Sequence, residues 1–268
     1  MLLIDSHCHL DAPEFDGDRD AVVARAHAAG VRSQVIPAVQ AEAWPKLRDL
    51  CRTTPGLYPA YGLHPMYLAA HLPGHLQDLR AWIERERPVA VGECGLDYFV
   101  DGLDRDAQQA CFEGQLRLAR EFDLPVIVHA RRAVDAVIAT LRRIGGLRGV
   151  VHSWSGSEEQ ARQLWRLDFL LGIGGPVTYE RARRLRRLVA AMPLQHLLLE
   201  TDAPDQPDAG IRGQRNEPAR LAAVLEAVAT LREVDPEEIA RATSVNAARL
   251  FGLPPPRDPP DEVATAAR

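Results

Sequence analysis

Cysteine is scarce in this chain and never closely paired. Cys8, Cys51, Cys94 and Cys111 form no CxxC spacing, which argues against a zinc ribbon, a thioredoxin-type centre and a disulfide scaffold. They read as reduced, mostly buried small residues. Long apolar runs are also missing. No stretch of about 18 consecutive apolar residues offers a membrane span, and the opening MLLIDSH has no basic segment leading into an apolar one, so neither a signal peptide nor a membrane association is expected and the expected compartment is the cytoplasm. There is no excess of positive charge: the formal net charge is −5, so nothing global advertises a polyanionic partner. Lysine is nearly absent. Of the 32 basic residues only Lys46 is not arginine, a bias that whole-proteome composition explains as readily as function does. Internal repeats beyond the alternation described next, interdomain linkers, heptad runs and any evident obligate protein partner are lacking too.

What the chain does contain is alternation. Its 268 residues are 46% hydrophobic and 26% charged, the composition of an ordinary globular protein with room for a large core. Short apolar runs rich in Val, Ile and Leu occur at 2–5, 33–39, 58–63, 89–93, 125–130, 149–154, 169–174 and 196–202. Between them lie segments of helical period. Phe112, Leu116 and Ala119 follow one such stripe, and Leu221, Val224, Leu225 and Val228 another; weaker stripes fall in 18–29 and 41–52. Ser157 and Gln160 give a capping box after the sixth apolar run. Continuous apolar strands separated by amphipathic helices indicate a parallel sheet buried on both faces. Eight such units predict an α/β fold, a single (β/α)8 TIM barrel over residues 1–252, rather than a doubly wound open sheet. Asp235, Pro236 and Glu238 predict an extra C-terminal helix over about 236–250, packed on the outside of the barrel. Residues 253–268, rich in proline and without an apolar stripe, are expected as a disordered tail.

In such a barrel the chemistry sits at the carboxyl ends of the strands. The first apolar run leads into His7 and His9, whose i, i+2 spacing turns both imidazoles to one side. Alone, that pair would read equally well as two solvent-facing polar residues. It is joined at the same end by Glu93, His129, His152 and Asp202, all of metal-ligand type. Four imidazoles and two carboxylates suffice for two divalent ions if one carboxylate bridges, and Glu93, between the first-strand histidines and those of strands five and six, is the candidate bridge. Asp202 is a candidate ligand and general base. His64, Arg131, Arg215 and Asn216 are candidate substrate contacts, against the plainer reading of loop residues. Tyr98 and Trp154 could stack on a base or simply pack, and Glu200, one layer below Asp202, is expected to support a ligand histidine. Cys8 and Cys94 should face away from the site, His196 should lie at the opposite end of the barrel, and His27, His71 and His75 should sit on surfaces. Arg181, Arg183, Arg184, Arg186 and Arg187 form a basic helix face, either simply solvated or able to touch a nucleic-acid backbone.

The stretches HCHLD at 7–11, GECGLDYF at 92–99, VIVHAR at 126–131, HSWSG at 152–156, ETDAP at 200–204 and RGQRNEPA at 212–219 together resemble the signatures of the TatD-type metal-dependent deoxyribonucleases of the amidohydrolase superfamily. The resemblance implies that His7, His9, Glu93 and Asp202 hold one ion and Glu93, His129 and His152 the other. It further implies hydrolysis of DNA phosphodiesters with a divalent ion such as Mg2+ or Mn2+; Zn2+ suits the same donors. The eighth loop, DAPDQPDAG at 202–210, departs from the usual family pattern and looks more like a subgroup of uncharacterised TatD-like hydrolases. With Lys46 the single lysine, no carbamylated bridge is available. Three functions follow as expectations. The first is a two-metal nuclease acting on single strands or ends of DNA. The second is a binuclear hydrolase of a small ester, lactone, amide or phosphomonoester, and the third a non-catalytic metal-dependent binding protein.

Overall fold

The computed structural model describes residues 1–254; the tail expected over 253–268 lies almost wholly outside the described residues. Strands β1 (Leu3–Asp5), β2 (Val31–Pro37), β3 (Leu57–Tyr61), β4 (Ala90–Asp97), β5 (Val126–Arg131), β6 (Gly149–Val151), β7 (Phe169–Ile173) and β8 (Leu197–Leu199) form one sheet in sequence order. Every neighbouring pair is parallel. The ring closes between β8 and β1, where the Ser6 amide donates to the Leu199 carbonyl at 3.0 Å and the Asp202 amide to the His7 carbonyl at 2.9 Å. All eight apolar runs are therefore strands of a TIM barrel. Helices α1 (Arg19–Ala28), α2 (Trp44–Thr53), α3 (His75–Glu86), α4 (Arg105–Glu121), α5 (Val134–Ile144), α6 (Glu158–Trp165), α7 (Arg183–Ala191) and α8 (Leu221–Arg232) alternate with the strands. The predicted stripes of α4 and α8 are buried, and Ser157 and Gln160 form the capping box of α6.

Strand alternation divides the core in two. Leu3, Ile36, Val91, Val128, Leu171 and their neighbours meet the surrounding helices. One residue from each strand (Ile4, Val35, Ala60, Ala90, Ile127, Val150, Leu170 and Leu198) fills the barrel interior. The last helix, α9 (Pro236–Phe251), does not lie on the outside as expected. Its Ala247, Leu250 and Phe251 join the interior cluster, while Ser244 bonds the Leu2 carbonyl and Asn246 those of Leu194 and Leu197. It plugs the amino-terminal mouth, because the alanines in the interior layer leave space that large apolar side chains from below can fill. Asp235 caps this helix through the Glu237 amide. With that end closed, the opposite, carboxyl end is the open one.

β4 carries the irregularity that matters most. Its register with β5 shifts between Val91 and Cys94, and both of those residues belong to the outer core. Simple alternation would send Glu93 outward with Val91. The extra residue in this bulge re-aims it to the axis, the usual service of a β-bulge beside a site. Gly92 has φ +151° and Gly95 φ +146°, and a Cβ on Gly95 would lie 2.0 Å from the His129 carbonyl oxygen. Only glycine fits these two positions.

Candidate metal centre

Beyond the end of β1 the chain bends at Ser6, which reverses the parity set by the interior residue Ile4. The Cys8 amide donates to Val35 and the His9 amide to Ala203, so His7 and His9 point to the axis while Cys8 is buried in the outer core. Their Nε2 atoms converge to 3.1 Å. Glu93 stands between two groups of nitrogens. Its Oε2 is 3.2 Å from His7 Nε2 and 3.4 Å from His9 Nε2. Its Oε1 is 3.2 Å from His129 Nδ1, 2.8 Å from His152 Nε2 and 3.0 Å from His64 Nε2. Asp202 completes the first group, its Oδ1 3.5 Å from His7 and 3.6 Å from His9. It does so from φ +57°, a left-handed conformation that aspartate adopts more readily than most residues.

His9, His64 and His129 are oriented by a hydrogen bond at the second ring nitrogen, whereas the Nδ1 atoms of His7 and His152 are buried without one. His129 Nε2 donates to Asp97 Oδ2 at 2.9 Å, leaving Nδ1 as a lone-pair donor toward Glu93. His9 Nδ1 donates to the Pro37 carbonyl at 3.1 Å, freeing Nε2 in the same way. His152 Nδ1 lies 3.8 Å from Glu200 Oε1. His64 differs: its Nδ1 accepts from the Met66 amide at 3.1 Å, so its Nε2 carries the proton and donates to Glu93. It is therefore a hydrogen-bond donor at the edge of the donor set rather than a member of it.

Charge within this buried cluster is strongly coupled. Burial opposes the Glu93 charge, but the surrounding imidazoles outweigh it and hold its carboxyl well below the usual range. Burial likewise depresses His9 and His152, yet the Glu93 and Asp202 carboxylates reverse this, raising His9 to about 9 and His152 to about 10. His64 is drawn down to about 4, mainly by burial, and stays neutral. Glu200 is pushed up to about 8 and Asp5 to about 7, chiefly by burial. Asp5 accepts from the His7 and Thr201 amides and the Thr201 hydroxyl, tying the end of β1 to that of β8.

Six of the ten proposed site residues, His7, His9, Glu93, His129, His152 and Asp202, thus meet at one point, with His64 beside them. Donor atoms of His7, Glu93 and His152, of His7, His9 and Asp202, and of His64, Glu93 and His129 lie, within each group, no more than 4.8 Å from one another. Arg131 ends β5 at the rim, exposed, its guanidinium 3.7 Å from the Phe99 ring centroid. Arg215 and Asn216 go elsewhere. Arg215 is bound to Asp18 and the Glu14 carbonyl. Asn216 is buried, and its amide donates to the Thr201 and Asp205 carbonyls. Both hold the eighth loop in place. Tyr98 and Trp154 pack with the outer core. His71 donates to the His64 carbonyl and His75 is buried, so neither is the surface residue expected. Asp97 was missed because β4 was expected to stop at Glu93; it repeats the inward parity of Glu93 and Gly95 and lies inside the GECGLDYF motif. Gln206, which reaches Asp202 Oδ2 and Ser153 Oγ, sits in an irregular loop and carries no sequence signal.

A family model described as TatD related DNase matches residues 4–252. The chain belongs to the TatD-related DNase family. It is 43% identical over 254 residues to the uncharacterised metal-dependent hydrolase YjjV of Escherichia coli K12, covering 94% of this chain and 98% of that protein. The crystal structure of YjjV, at 42% identity and the same coverage of each chain, superposes with a TM-score of 0.89. The chain is also 36% identical over 256 residues to the 3'-5' ssDNA/RNA exonuclease TatD of Cronobacter sakazakii, covering 93% of this chain and 97% of that protein. As a TatD-family protein it is a metal-dependent hydrolase, and the observed donors, imidazoles and carboxylates gathered at one point, suit divalent ions. Among the described residues no helix is long and apolar enough to cross a membrane.

Proposed function

We propose that the chain is a two-metal-ion hydrolase that cleaves phosphodiester bonds of DNA at single strands or ends. The observation that supports it most directly is the division of Glu93, one carboxylate oxygen serving each group of nitrogens. In this reading His7, His9, Asp202 and Glu93 hold one ion and Glu93, His129 and His152 the other, with Mg2+, Mn2+ or Zn2+ as candidates. Such a pair, when bound, neutralises charge on a phosphoryl oxygen and makes hydroxide available near neutral pH. The chain's own residues do the rest. Asp202, whose carboxyl burial raises above its ordinary value, is placed to take up the proton of the attacking water. Gln206 holds its other oxygen and so fixes its orientation. His64, neutral and protonated on Nε2, donates to Glu93 and so steadies that carboxylate, and Arg131 offers a charged donor to a phosphoryl oxygen from the rim. The substrate class rests on the names of relatives such as the exonuclease TatD and the putative deoxyribonuclease tatdn3 of Danio rerio, 32% identical over 261 residues.

The test is hydrolysis of end-labelled single-stranded DNA by metal-free protein resupplied with magnesium, manganese or zinc, with Glu93→Ala prepared in parallel. Cleavage that needs both Glu93 and added metal is expected, with loss of both ions in the variant while its circular dichroism stays native. Wild-type protein that binds two ions yet cuts no better than the variant would move the substrate to a small ester or phosphomonoester. Binding without turnover of any ester would leave a metal-dependent binding protein.

A further inference from the structure

The cations around the open end of the barrel are not distributed evenly. On the side of the first, second and eighth loops they are consumed by carboxylates: Arg19 and Lys46 by Asp16, Arg215 by Asp18, Arg25 by Glu217. On the side of the sixth and seventh loops they are not. Arg181, Arg183, Arg184 and Arg187 are exposed, and among the described residues none forms an ion pair. The acidic residues nearby are already engaged, Glu158 with Arg162, Glu159 with Arg166 and Asp208 with Arg220; only the exposed Glu180 adjoins the group. Four like charges on one short surface, three of them within five positions of α7, repel each other, the i, i+4 pair Arg183 and Arg187 among them.

This face is built into the wall of the site. Arg184 donates to the Ser155 carbonyl at 2.7 Å, in the loop that begins at His152. Arg181 lies over the Tyr179 ring at 5.3 Å, and the Tyr179 hydroxyl donates to the Pro207 carbonyl at 2.9 Å, in the loop that begins at Asp202. The arginines therefore flank the two loops that carry one ligand of each proposed ion. We propose that the arginine face formed by Arg181, Arg183, Arg184 and Arg187 is the track for the sugar-phosphate backbone of single-stranded nucleic acid, holding nucleotides beyond the scissile phosphate. The occupant follows from charge complementarity: four unpaired guanidiniums beside the site match a chain of regularly spaced phosphates. The inference rests on the nuclease reading above and adds to it a surface that flanks the donor cluster without belonging to it.

The test uses the manganese-loaded enzyme and the variant R181Q/R183Q/R184Q/R187Q. The quantity read is kcat/KM for a 20-nucleotide single strand and for a small aryl phosphodiester, as a function of salt. Each phosphate contact on a single strand contributes about 0.7 to the slope of log affinity against log salt, so the variant should lose roughly 3 from that slope. A fourfold rise in salt should then weaken the wild type about 50-fold more than the variant, with hydrolysis of the aryl diester alike in both. R183Q/R187Q removes two guanidiniums that make no intramolecular hydrogen bond; it should lose about half as much slope and guards against misfolding of the fuller variant. Arginine-to-lysine replacement at all four positions should restore most of it. Equal slopes for wild type and variant on a strand that both cut would overturn the track and leave the nuclease reading standing. A wild type that hydrolyses the aryl diester but no strand would remove the nuclease reading, and the track with it.

Discussion

Asp97→Asn separates the two halves of the proposed centre. The Asp97 carboxylate accepts from the Phe99 amide at 2.8 Å and the Val100 amide at 3.0 Å through Oδ1, and from His129 through Oδ2. In asparagine the carbonyl oxygen must stay with the two backbone amides, which leaves the NH2 facing His129 Nε2. Two donors cannot pair, so the imidazole takes the other tautomer, with its proton on Nδ1 toward Glu93 and no lone pair there for an ion. Loss of such a supporting partner costs roughly 10- to 100-fold in metal affinity, or about 1.4–2.7 kcal/mol. His9 is oriented by the Pro37 carbonyl instead, so the ion on that side should be retained. Competition against a chromophoric chelator should show one equivalent of manganese or zinc bound as in wild type and the second weakened by that factor. Two equivalents bound with unchanged affinity, or both weakened alike, would refute the role given to Asp97.

Metal uptake should be coupled to protons. His9 and His152, raised to about 9 and about 10 by the carboxylates beside them, are protonated at pH 7 in the apo protein, whereas ligation needs them neutral. Binding should therefore release protons at pH 7 and tighten as pH rises toward 9. Calorimetry in buffers of different ionisation enthalpy reads this directly, and heats independent of buffer would contradict it. Asn216→Ala should strip the buried Thr201 and Asp205 carbonyls of their donor and cost about 1–3 kcal/mol. That is visible as a lower Tm, with KM unchanged at temperatures where the protein is folded; a raised KM at unaltered Tm would restore Asn216 to the substrate.

The barrel was legible because its elements announce themselves locally. Apolar runs bounded by amphipathic segments have few ways to bury both faces of every strand, and the residues ending those strands then share one mouth. His7, His9, His129 and His152 could be named for this reason. Glu93 could be named as well, though its inward direction depends on the bulge before Cys94, and alternation alone gives the opposite face. The failures also have physical causes. Whether Arg215 meets a substrate or Asp18 depends on two segments nearly two hundred positions apart in sequence, and guanidinium chemistry suits both. Asn216 faces the same ambiguity, since an amide that could bind a phosphate can equally hold its own loop. The position of α9 was misjudged because a stripe of Ala247, Leu250 and Phe251 fits an outer groove as well as an open barrel end.

What the sequence determined by itself was therefore the strand and helix order, the end of the barrel that bears the chemistry and the donor types gathered there, all of which follow from periodicity and from the residue types that end the strands. The tertiary structure alone decided the pairing of side chains across the mouth. It set one oxygen of Glu93 toward each group of histidines, the Asp97 carboxylate behind His129, the proton on His64 Nε2 and the unpaired arginines of α7. These depend on distances between loops, which a sheet closing on itself fixes and a linear pattern of residues does not contain.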